Sequence, residues 1–403
     1  MVIAGETSGD LLAAELVSAL RQALVNTDSI RTPDQQPLHA TLEPRFFGAG
    51  GPCLAKAGVD LAFDMTTLSA IGPMDALKNL LGLRRRFRRL FHLAVERQPE
   101  AIVCVDFGAF NLRFARAIKR HVRSRRGRFH DWNPRLIQYV SPQVWASRQG
   151  RAQHLARDCD LLLSIFPFEK EWYAKHAPRL RVEFVGHPIA DRYTNWPAGP
   201  QNDSPARAPA PLVALLPGSR SNELKRHLPV MLGALAVIRA TVPDVRARMV
   251  LPNERLLRQA KALCLPAGLA VQIDGLAEVL SEASVAIAST GTVTVECARF
   301  GVPTVALYKT HWSTYLLARS IVKVKFAAMP NLLAGEQIMP EFLQQAATAE
   351  KLARAAIEFL RNESTRARTK ARLVEVAATL GAPGASRRAA NAIAELLVPP
   401  AGP

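Results

Sequence analysis

The sequence predicts an α/β protein made of two Rossmann-like, doubly wound domains that face one another across a cleft. Short apolar runs, typical of buried parallel strands, alternate with stretches of helical periodicity along most of the 403 residues. A proline-rich segment without apolar periodicity, residues 196–211, interrupts this alternation once. Because 403 residues exceed one ordinary core, we expect residues 1–195 and 212–398 to form two domains joined by this linker. The predicted strands are residues 2–4, 46–48, 101–105, 136–140, 161–165 and 182–185 in the first domain, and 212–216, 247–251, 269–273, 284–288 and 302–307 in the second.

The composition, 49% hydrophobic and 21% charged, is that of a folded protein. The five cysteines are scattered without a CxxC pair, which argues against a disulfide framework and a zinc site and favours a reducing compartment. No basic leader precedes the first strand, and no apolar run approaches the roughly 18 residues that span a bilayer. We therefore expect a cytoplasmic protein without a bound metal.

The net charge of +18 is concentrated in one region, since residues 84–128 hold 13 Arg and one Lys against three acidic residues. Such a patch suits nucleic acid, anionic lipid headgroups or a phosphorylated substrate, and the sequence contains no recognisable nucleic-acid module. Within residues 76–91, apolar side chains recur at helical intervals beside five arginines. This pattern favours a basic amphipathic helix in a membrane interface over a core-packed helix with a charged outer face. The predicted membrane contacts are Leu77, Leu80, Leu81, Arg84, Arg85, Phe87 and Arg88.

The first strand ends in the turn Ala4-Gly-Glu-Thr-Ser-Gly-Asp10, which leads into a helix. Gly5 and Gly9 would let a ligand approach the backbone. Ser8 and Asp10 are candidates for ligand contact or, as the alternative, for capping that helix.

Asp106 follows the apolar strand 101–105, so it lies at the carboxyl end of a predicted parallel strand, where α/β proteins bind ligands. There it could take a proton from an acceptor hydroxyl, or it could be a structural residue that binds loop amides. The loops 139–148 and 184–188 close two further strands. His187 precedes a proline in the second of these loops, and no partner ligand stands at helical spacing, so we expect an anchoring or cleft role.

The second domain opens with Val213-Ala-Leu-Leu-Pro-Gly-Ser-Arg220, which predicts a strand, a tight loop and a helix. Such a loop aims backbone amides and the positive end of the helix at an anion, and Arg220 adds a charge suited to phosphate oxygens. We interpret it as a nucleotide diphosphate site. The alternative is an ordinary strand-to-helix turn with a surface arginine.

A second hydroxyl-rich turn, Thr290-Gly-Thr292, follows the apolar run at 286–288 and precedes another helix. Its residues can donate to phosphate, and Glu296, placed in the first turn of that helix, can accept from a ribose hydroxyl. The alternative role for Glu296 is that of a capping or helix-dipole carboxylate.

Nine segments, taken in order, look like lipid-A-disaccharide synthase: AGETSGD, FFGAGGP, VDFGAFN, YVSPQVWASRQGR, FPFEKEWY, FVGHPIAD, LLPGSR, TGTVTVE and MPNLLAGE. The resemblance covers nearly the whole chain. It implies a GT-B glycosyltransferase that needs no cofactor and joins UDP-2,3-diacylglucosamine to 2,3-diacylglucosamine 1-phosphate (lipid X), with release of UDP. It further implies peripheral association with the anionic surface of the inner membrane and permits a homodimer.

In this family Asp106 matches the candidate base and Arg220 the essential arginine. The residues that the motifs and the resemblance assign to substrate binding are Gly5, Glu6, Ser8, Gly9, Asp10, Asn111, Ser141, Trp145, Arg148, His187, Gly218, Ser219, Thr290, Gly291, Thr292, Glu296 and Asn331.

The chain departs from the family pattern at several positions. Ala109 stands where a second aspartate is usual, Ser147 and Gly150 replace a common Trp and Lys, and Thr290 replaces Ser. Two alternatives therefore stay open: a divergent GT-B enzyme with another acceptor, and a basic membrane- or nucleic-acid-binding protein that has lost catalysis.

Overall fold

The computed structural model describes residues 1–28, 44–66, 73–125, 127, 130–196, 210–322 and 324–397. The chain divides into two compact units: Met1–Asp191 together with the segment that begins at Gly381, and Arg192–Leu380. Each unit is built on one parallel sheet with helices between its strands, which confirms the predicted fold class. Most of the predicted linker, residues 197–209, lies outside the described residues.

The first unit contains a seven-stranded parallel sheet in the order β3-β2-β1-β4-β5-β6-β7. The strand order reverses between β1 and β4, which makes the carboxyl edge at these strands the expected ligand position. The strands are β1 Val2–Ala4, β2 Phe47–Gly50, β3 Asp60–Asp64, β4 Ala101–Val105, β5 Arg135–Tyr139, β6 Leu161–Ser164 and β7 Val182–Phe184. The helices are α1 Thr7–Asp28, α2 Pro52–Lys56, α3 Pro73–Arg97, α4 Gly108–Arg125, α5 Arg151–Asp158, α6 Pro167–His176 and α7 Ile189–Arg192.

The second unit contains a six-stranded parallel sheet in the order β10-β9-β8-β11-β12-β13. β8, β11 and β12 are neighbours, so the loops after these three strands share one edge. The strands are β8 Leu212–Leu216, β9 Arg246–Leu251, β10 Leu269–Ile273, β11 Val285–Ser289, β12 Thr304–Tyr308 and β13 Glu341–Leu343. The helices are α8 Ser221–Thr241, α9 Glu254–Lys261, α10 Leu276–Glu282, α11 Thr292–Arg299, α12 Trp312–Ile321, α13 Met329–Ala334, α14 Ala349–Arg361 and α15 Glu363–Ala378, with a short 3₁₀ turn at Gln344–Ala346.

Both cores consist of the apolar runs that the sequence shows. Ile3, Ile102 and Leu162 are fully buried in the first unit, as Leu215 and Ile287 are in the second. Strands covered on both faces by helices require apolar side chains on both faces, and this explains the unbroken hydrophobic runs.

The last helix, α16 Ala385–Leu397, packs on α1 and belongs to the first unit. The predicted second domain, residues 212–398, includes this helix, but the sequence leaves open which domain residues 350–398 pack on. Its start is held by Asp191, whose carboxylate accepts from the backbone amides of Gly384, Ala385 at 3.2 Å and Ser386 at 3.1 Å. A carboxylate at a helix start satisfies otherwise unpaired amides and complements the helix dipole.

Helix α3 packs one face on the core of the first unit and exposes the other. Phe87 meets Phe110 and Phe114 edge to face, with ring centroids 5.4 and 5.6 Å apart, and Leu90 is fully buried. Phe87 is therefore a core contact, and its prediction as a membrane contact is wrong. Leu81, 53% exposed, lies on the solvent side with Arg84, Arg85 and Arg88, whereas the side chains of Leu77 and Leu80 lie outside the described ones.

No helix in the described part of the chain is long and apolar enough to cross a bilayer. The same residues contain no group of three or more His, Cys, Asp or Glu side chains that could hold a metal ion.

Candidate active site

The loops after β4 and β5 carry most of the unusual backbone geometry of the described residues. Of the seven non-glycine residues with positive φ, four are here: Asp106 at 50°, Phe107 at 44°, Val140 at 67° and Arg148 at 54°. This left-handed region disfavours L-residues, above all a β-branched one such as Val140. Such strain persists only where the surrounding structure enforces it, and it concentrates at functional sites.

Two buried amides hold the backbone of Asp106. Its carbonyl accepts from Asn111 Nδ2 at 2.8 Å and from Gln138 Nε2 at 3.2 Å, while its own amide donates to the Tyr139 carbonyl at 2.9 Å. The side chain of Asn111 thus holds the candidate base in place by a hydrogen bond to the backbone carbonyl of Asp106. Gln138 was not among the predicted site residues, although a glutamine inside an apolar strand needs buried hydrogen-bond partners, which is a usable signal.

The turn after β1 packs against the loop that carries Asp106. A Cβ on Gly9 would stand 3.5 Å from the Cβ of Asp106, and one on Gly5 would stand 2.2 Å from the ring of Phe107. Gly5 is therefore needed because Phe107 fills the space that we expected a ligand to use. Glu6 is partly buried and Ser8 exposed at the same turn.

Asp10 is a structural residue in this unit. Its buried carboxylate accepts from the amides of Gly51 at 2.6 Å, Cys53 at 2.8 Å and Leu54 at 3.2 Å. These amides belong to the start of α2, so Asp10 caps that helix. The prediction of Asp10 as a substrate contact is corrected because its oxygens are already used.

Ser141 and Trp145 also point into the protein, where they meet a buried carboxyl group. Trp145 Nε1 donates to Glu169 Oε1 at 2.9 Å, and the hydroxyls of Ser141 and Tyr173 are 2.9 Å apart. Burial raises the pKa of Glu169 to about 7, against the opposing effect of its hydrogen bonds from Trp145 and Phe166. These contacts hold the loop after β5, and they correct the expectation that Ser141 and Trp145 bind substrate directly.

His187 is buried and anchors the loop after β7. Its Nδ1 accepts from the amide of Ile189 at 3.2 Å, and its ring lies 5.5 Å from that of Phe166. This agrees with the expected anchoring role. Arg148, by contrast, is exposed at the carboxyl edge.

In the second unit the loop Pro217–Arg220, here named the donor loop, has fewer open amides than expected. The amides of Ser219 and Arg220 donate to Glu223 Oε2 at 3.1 and 3.4 Å. Gly218 has φ 114°, and a Cβ there would come within 2.4 Å of the same carboxylate oxygen. Glu223 thus occupies the anion position formed by these amides. The exposed guanidinium of Arg220, whose Nη1 lies 3.5 Å from Glu223 Oε1, is the donor loop's candidate phosphate contact.

His227, one turn after Glu223, fixes the base of the donor loop. Its Nδ1 lies 2.8 Å from the Pro217 carbonyl, and its Nε2 lies 2.9 Å from the amide of Lys309, just after β12. A carbonyl requires a donor and an amide requires an acceptor, so this pair of contacts selects the neutral ring with its proton on Nδ1. Burial lowers the pKa of His227, which also favours the neutral ring. His227 was not among the predicted site residues, because its contact with Lys309 spans 82 residues of the chain.

The turn after β11 is open. Gly291 and Thr292 are exposed, Thr290 is partly buried, and a Cβ on Gly291 would meet no atom within 4 Å. α11 begins at Thr292, so its positive end faces this space. Of the two turns predicted to bind diphosphate, this one has the accessible backbone.

Glu296 lies in the second turn of α11 and is bound by a phenol. Tyr193 Oη donates to Glu296 Oε1 at 2.9 Å, and burial raises the pKa of the carboxyl group. A ribose hydroxyl at this carboxylate must share it with Tyr193 or replace that phenol.

Asn331 is a structural clamp. Its Nδ2 donates to the Met339 carbonyl and to Glu341 Oε1, both at 2.7 Å, and its Oδ1 accepts from the amides of Ile338 and Met339, both at 2.8 Å. The side chain thus uses both donors and both lone pairs of oxygen. Its prediction as a substrate contact is corrected for this reason.

Replacing Glu169 by Gln should flatten the pH dependence of stability. Because the folded-state pKa of about 7 lies above the ordinary value of 4.5, the stabilisation of the neutral acid is complete below pH 4.5 and is lost as the pH rises through 7. The melting temperature of the parent protein should therefore fall relative to Glu169→Gln between pH 5 and pH 8. Glu171→Gln, an exposed change on the same helix, is the control, and parallel melting curves for all three proteins would contradict the expectation.

Replacing His227 by Leu should weaken UDP binding by up to about thirtyfold, since two hydrogen bonds worth about 1 kcal/mol each no longer hold the donor loop. Calorimetric titration with UDP measures this change. His227→Asn keeps a donor near the Pro217 carbonyl and should lose less affinity than His227→Leu. Equal UDP affinity in the parent and the leucine variant would rule out the positioning effect.

The family model described as lipid-A-disaccharide synthetase matches residues 1–396. The lipid-A-disaccharide synthases of Geobacter sulfurreducens and Alkalilimnicola ehrlichii are 32% and 35% identical to this chain over 406 and 404 residues. These alignments cover 98% and 97% of this chain and 97% of each relative.

Solved structures share the fold at low identity. The UDP-GlcNAc 2-epimerase from Neisseria meningitidis bound to UDP-GlcNAc has a TM-score of 0.57 at 9% identity, covering 94% of this chain and 96% of that one. The glycotransferase of kitacinnamycin has a TM-score of 0.56 at 18% identity, covering 99% and 98%. The two parallel-sheet units are thus those of the GT-B fold, and the family match over nearly the whole length shows that this chain belongs to the lipid-A-disaccharide synthetase family.

Proposed function

We propose that this chain transfers 2,3-diacylglucosamine from UDP-2,3-diacylglucosamine to lipid X, with inversion, to give the β-1′,6-linked tetraacyl disaccharide 1-phosphate and UDP. Membership of the family supports a glycosyltransferase of lipid A biosynthesis. The observation that carries the finer proposal is the fixed position of Asp106 at the carboxyl end of β4, where Asn111 and Gln138 hold its strained backbone.

Asp106 is the base in this proposal. Its carboxylate takes the proton from the acceptor's 6-hydroxyl as that oxygen forms a bond to C1 of the donor sugar. The bond from C1 to the diphosphate oxygen breaks on the opposite face, and its electron pair leaves with UDP. One carboxylate therefore suffices for inversion, and the backbone hydrogen bonds limit the reorganisation needed to reach the reactive geometry.

The second unit supplies the charge for the leaving group. The exposed guanidinium of Arg220 and the positive end of α11 behind Thr292 both suit the negative charge that develops on the diphosphate. Glu296 takes the ribose hydroxyl, in exchange with or beside Tyr193. Glu223 and His227 act on the donor loop rather than on the substrate.

We assign the exposed face of α3 to an anionic membrane surface. Leu81 is an exposed apolar side chain beside the exposed arginines Arg84, Arg85 and Arg88. This pairing suits an interface that offers both acyl chains and phosphate headgroups. Both substrates carry acyl chains, so contact with lipid would bring the enzyme to them.

Acceptor-dependent release of UDP tests the proposed function. In detergent micelles, the purified protein should release UDP from UDP-2,3-diacylglucosamine only when lipid X is present, and mass spectrometry should detect the disaccharide. Asp106→Asn and Arg220→Ala should each lower turnover by at least about a hundredfold, the scale of a lost base or oxyanion contact. Arg226→Ala changes an exposed residue of α8, the helix that follows the donor loop, and its turnover should be near normal.

A protein that binds UDP but forms no disaccharide would contradict the proposed acceptor and favour a divergent enzyme. Near-normal turnover in either Asp106→Asn or Arg220→Ala would remove that residue from the mechanism.

Charge reversal on α3 should reduce binding to vesicles of phosphatidylglycerol while leaving binding to phosphatidylcholine vesicles unchanged. The variant combines Arg84→Glu, Arg85→Glu and Arg88→Glu, and cosedimentation measures the bound fraction. A control with the same change in net charge combines Arg258→Glu, Arg354→Glu and Arg368→Glu, all exposed residues of the second unit. Equal losses in the two variants would show that total charge, rather than this face, governs binding.

A further inference from the structure

Three arginines come together beside the loop of Asp106. Arg113 lies in the second turn of α4, which starts two residues after Asp106, while Arg148 and Arg151 lie in the loop after β5 and at the start of α5. The amide of Arg151 donates to the carbonyl of Arg148 at 2.9 Å, and α4 packs against α5. We name Arg113, Arg148 and Arg151 the arginine cluster.

No carboxylate within the described residues forms an ion pair with any member of the arginine cluster. The far ends of the same two helices behave differently. On α4, Lys119 pairs with Asp160 at 3.0 Å, and on α5, Arg157 pairs with Asp158 at 2.6 Å. Lys119 and Arg157 thus each have a carboxylate partner, whereas the three members of the arginine cluster have none among the described residues.

The sequence lacks one carboxylate that could neutralise Arg113. Ala109 is exposed on α4 four residues before Arg113, so the two lie on the same face of the helix. It occupies the position at which the resemblance leads us to expect a second aspartate. A carboxylate there would stand within pairing distance of Arg113, and this chain has none.

The members of the arginine cluster act on one another. Burial lowers the pKa of the Arg151 guanidinium, and the charges of Arg148 and then Arg113 lower it further. Arg148 has a φ of 54°, so the backbone holds this side chain at the site in spite of local strain. Like charges gathered without a counter-ion are unfavourable unless an anion joins them.

We propose that the arginine cluster binds the phosphate monoester of the acceptor sugar; this deepens the proposed function and rests on its assignment of a phosphorylated acceptor. Guanidinium groups present paired N–H donors that match phosphate oxygens, and three of them exceed the charge of a phosphate dianion. The cluster lies on α4, on the loop after β5 and at the start of α5, and the loop between β4 and α4 carries Asp106. Binding of the phosphate there orients the sugar so that its free hydroxyl reaches the base.

The test compares two acceptors, lipid X and the same diacylglucosamine without its 1-phosphate. The parent enzyme should prefer lipid X by about a hundredfold in kcat/KM, as expected for two charge-assisted hydrogen bonds. Arg113→Ala and Arg151→Ala should each raise the KM for lipid X by about tenfold, leave the KM for the donor unchanged, and reduce this preference. Arg120→Ala, an exposed arginine further along α4, is the matched control and should change neither KM.

A second measurement does not need turnover. Calorimetry with glucosamine 1-phosphate and with glucosamine should show that only the phosphorylated sugar binds and that Arg113→Ala and Arg151→Ala weaken it. If that binding is found but no disaccharide forms, the proposed function fails and the phosphate site stands.

Two results would overturn the site. One is an unchanged preference for lipid X in the variant that combines Arg113→Ala with Arg151→Ala. The other is a loss of phosphatidylglycerol vesicle binding without any change in acceptor preference, which would assign the cluster to membrane headgroups.

Discussion

The hydrogen bonds on the carbonyl of Asp106 are the contacts on which the first unit's site depends. Two buried amides, from Asn111 and Gln138, converge on this one oxygen. They come from α4 and β5, so the strand end, the following helix and the neighbouring strand share a single anchor. Because the backbone there is strained, the loop keeps its shape only while both donors are in place.

In this fold, carboxylates accept hydrogen bonds from backbone amides more often than the sequence motifs suggest. Asp10 binds three amides at the start of α2, and Glu223 binds two amides of the donor loop. A phosphate would seek the same donors, since both kinds of anion satisfy amides at a helix start. The fold decides which side chains reach such a position. A glycine-rich motif alone therefore does not predict whether a carboxylate or a phosphate occupies it.

The sequence predicted the two parallel-sheet units because buried parallel strands must be apolar on both faces, and such runs are visible without a structure. The edge strands β3 and β13 escaped prediction, since both are only partly buried and lack an unbroken apolar run. The roles of the site residues were harder to predict for a different reason, since the hydrogen-bond partners of Asn331 and His227 follow from tertiary contacts. Asn331 uses every hydrogen-bonding group internally, and His227 joins segments 82 residues apart. On α3 the helical period was clear, but only packing distinguishes Phe87 from an exposed position.

The position of α16 means that the first unit is made from two segments that are far apart in the chain. Its buried face, made of Ile393 and small alanines, covers α1, while Arg192–Leu380 lies between them in sequence. During synthesis α1 emerges early, and the segment that covers it leaves the ribosome only after residues 192–380. The N-terminal sheet can form before that point, but its outer layer stays open until α16 has emerged, so a chain stopped before α16 would expose apolar surface and aggregate more readily.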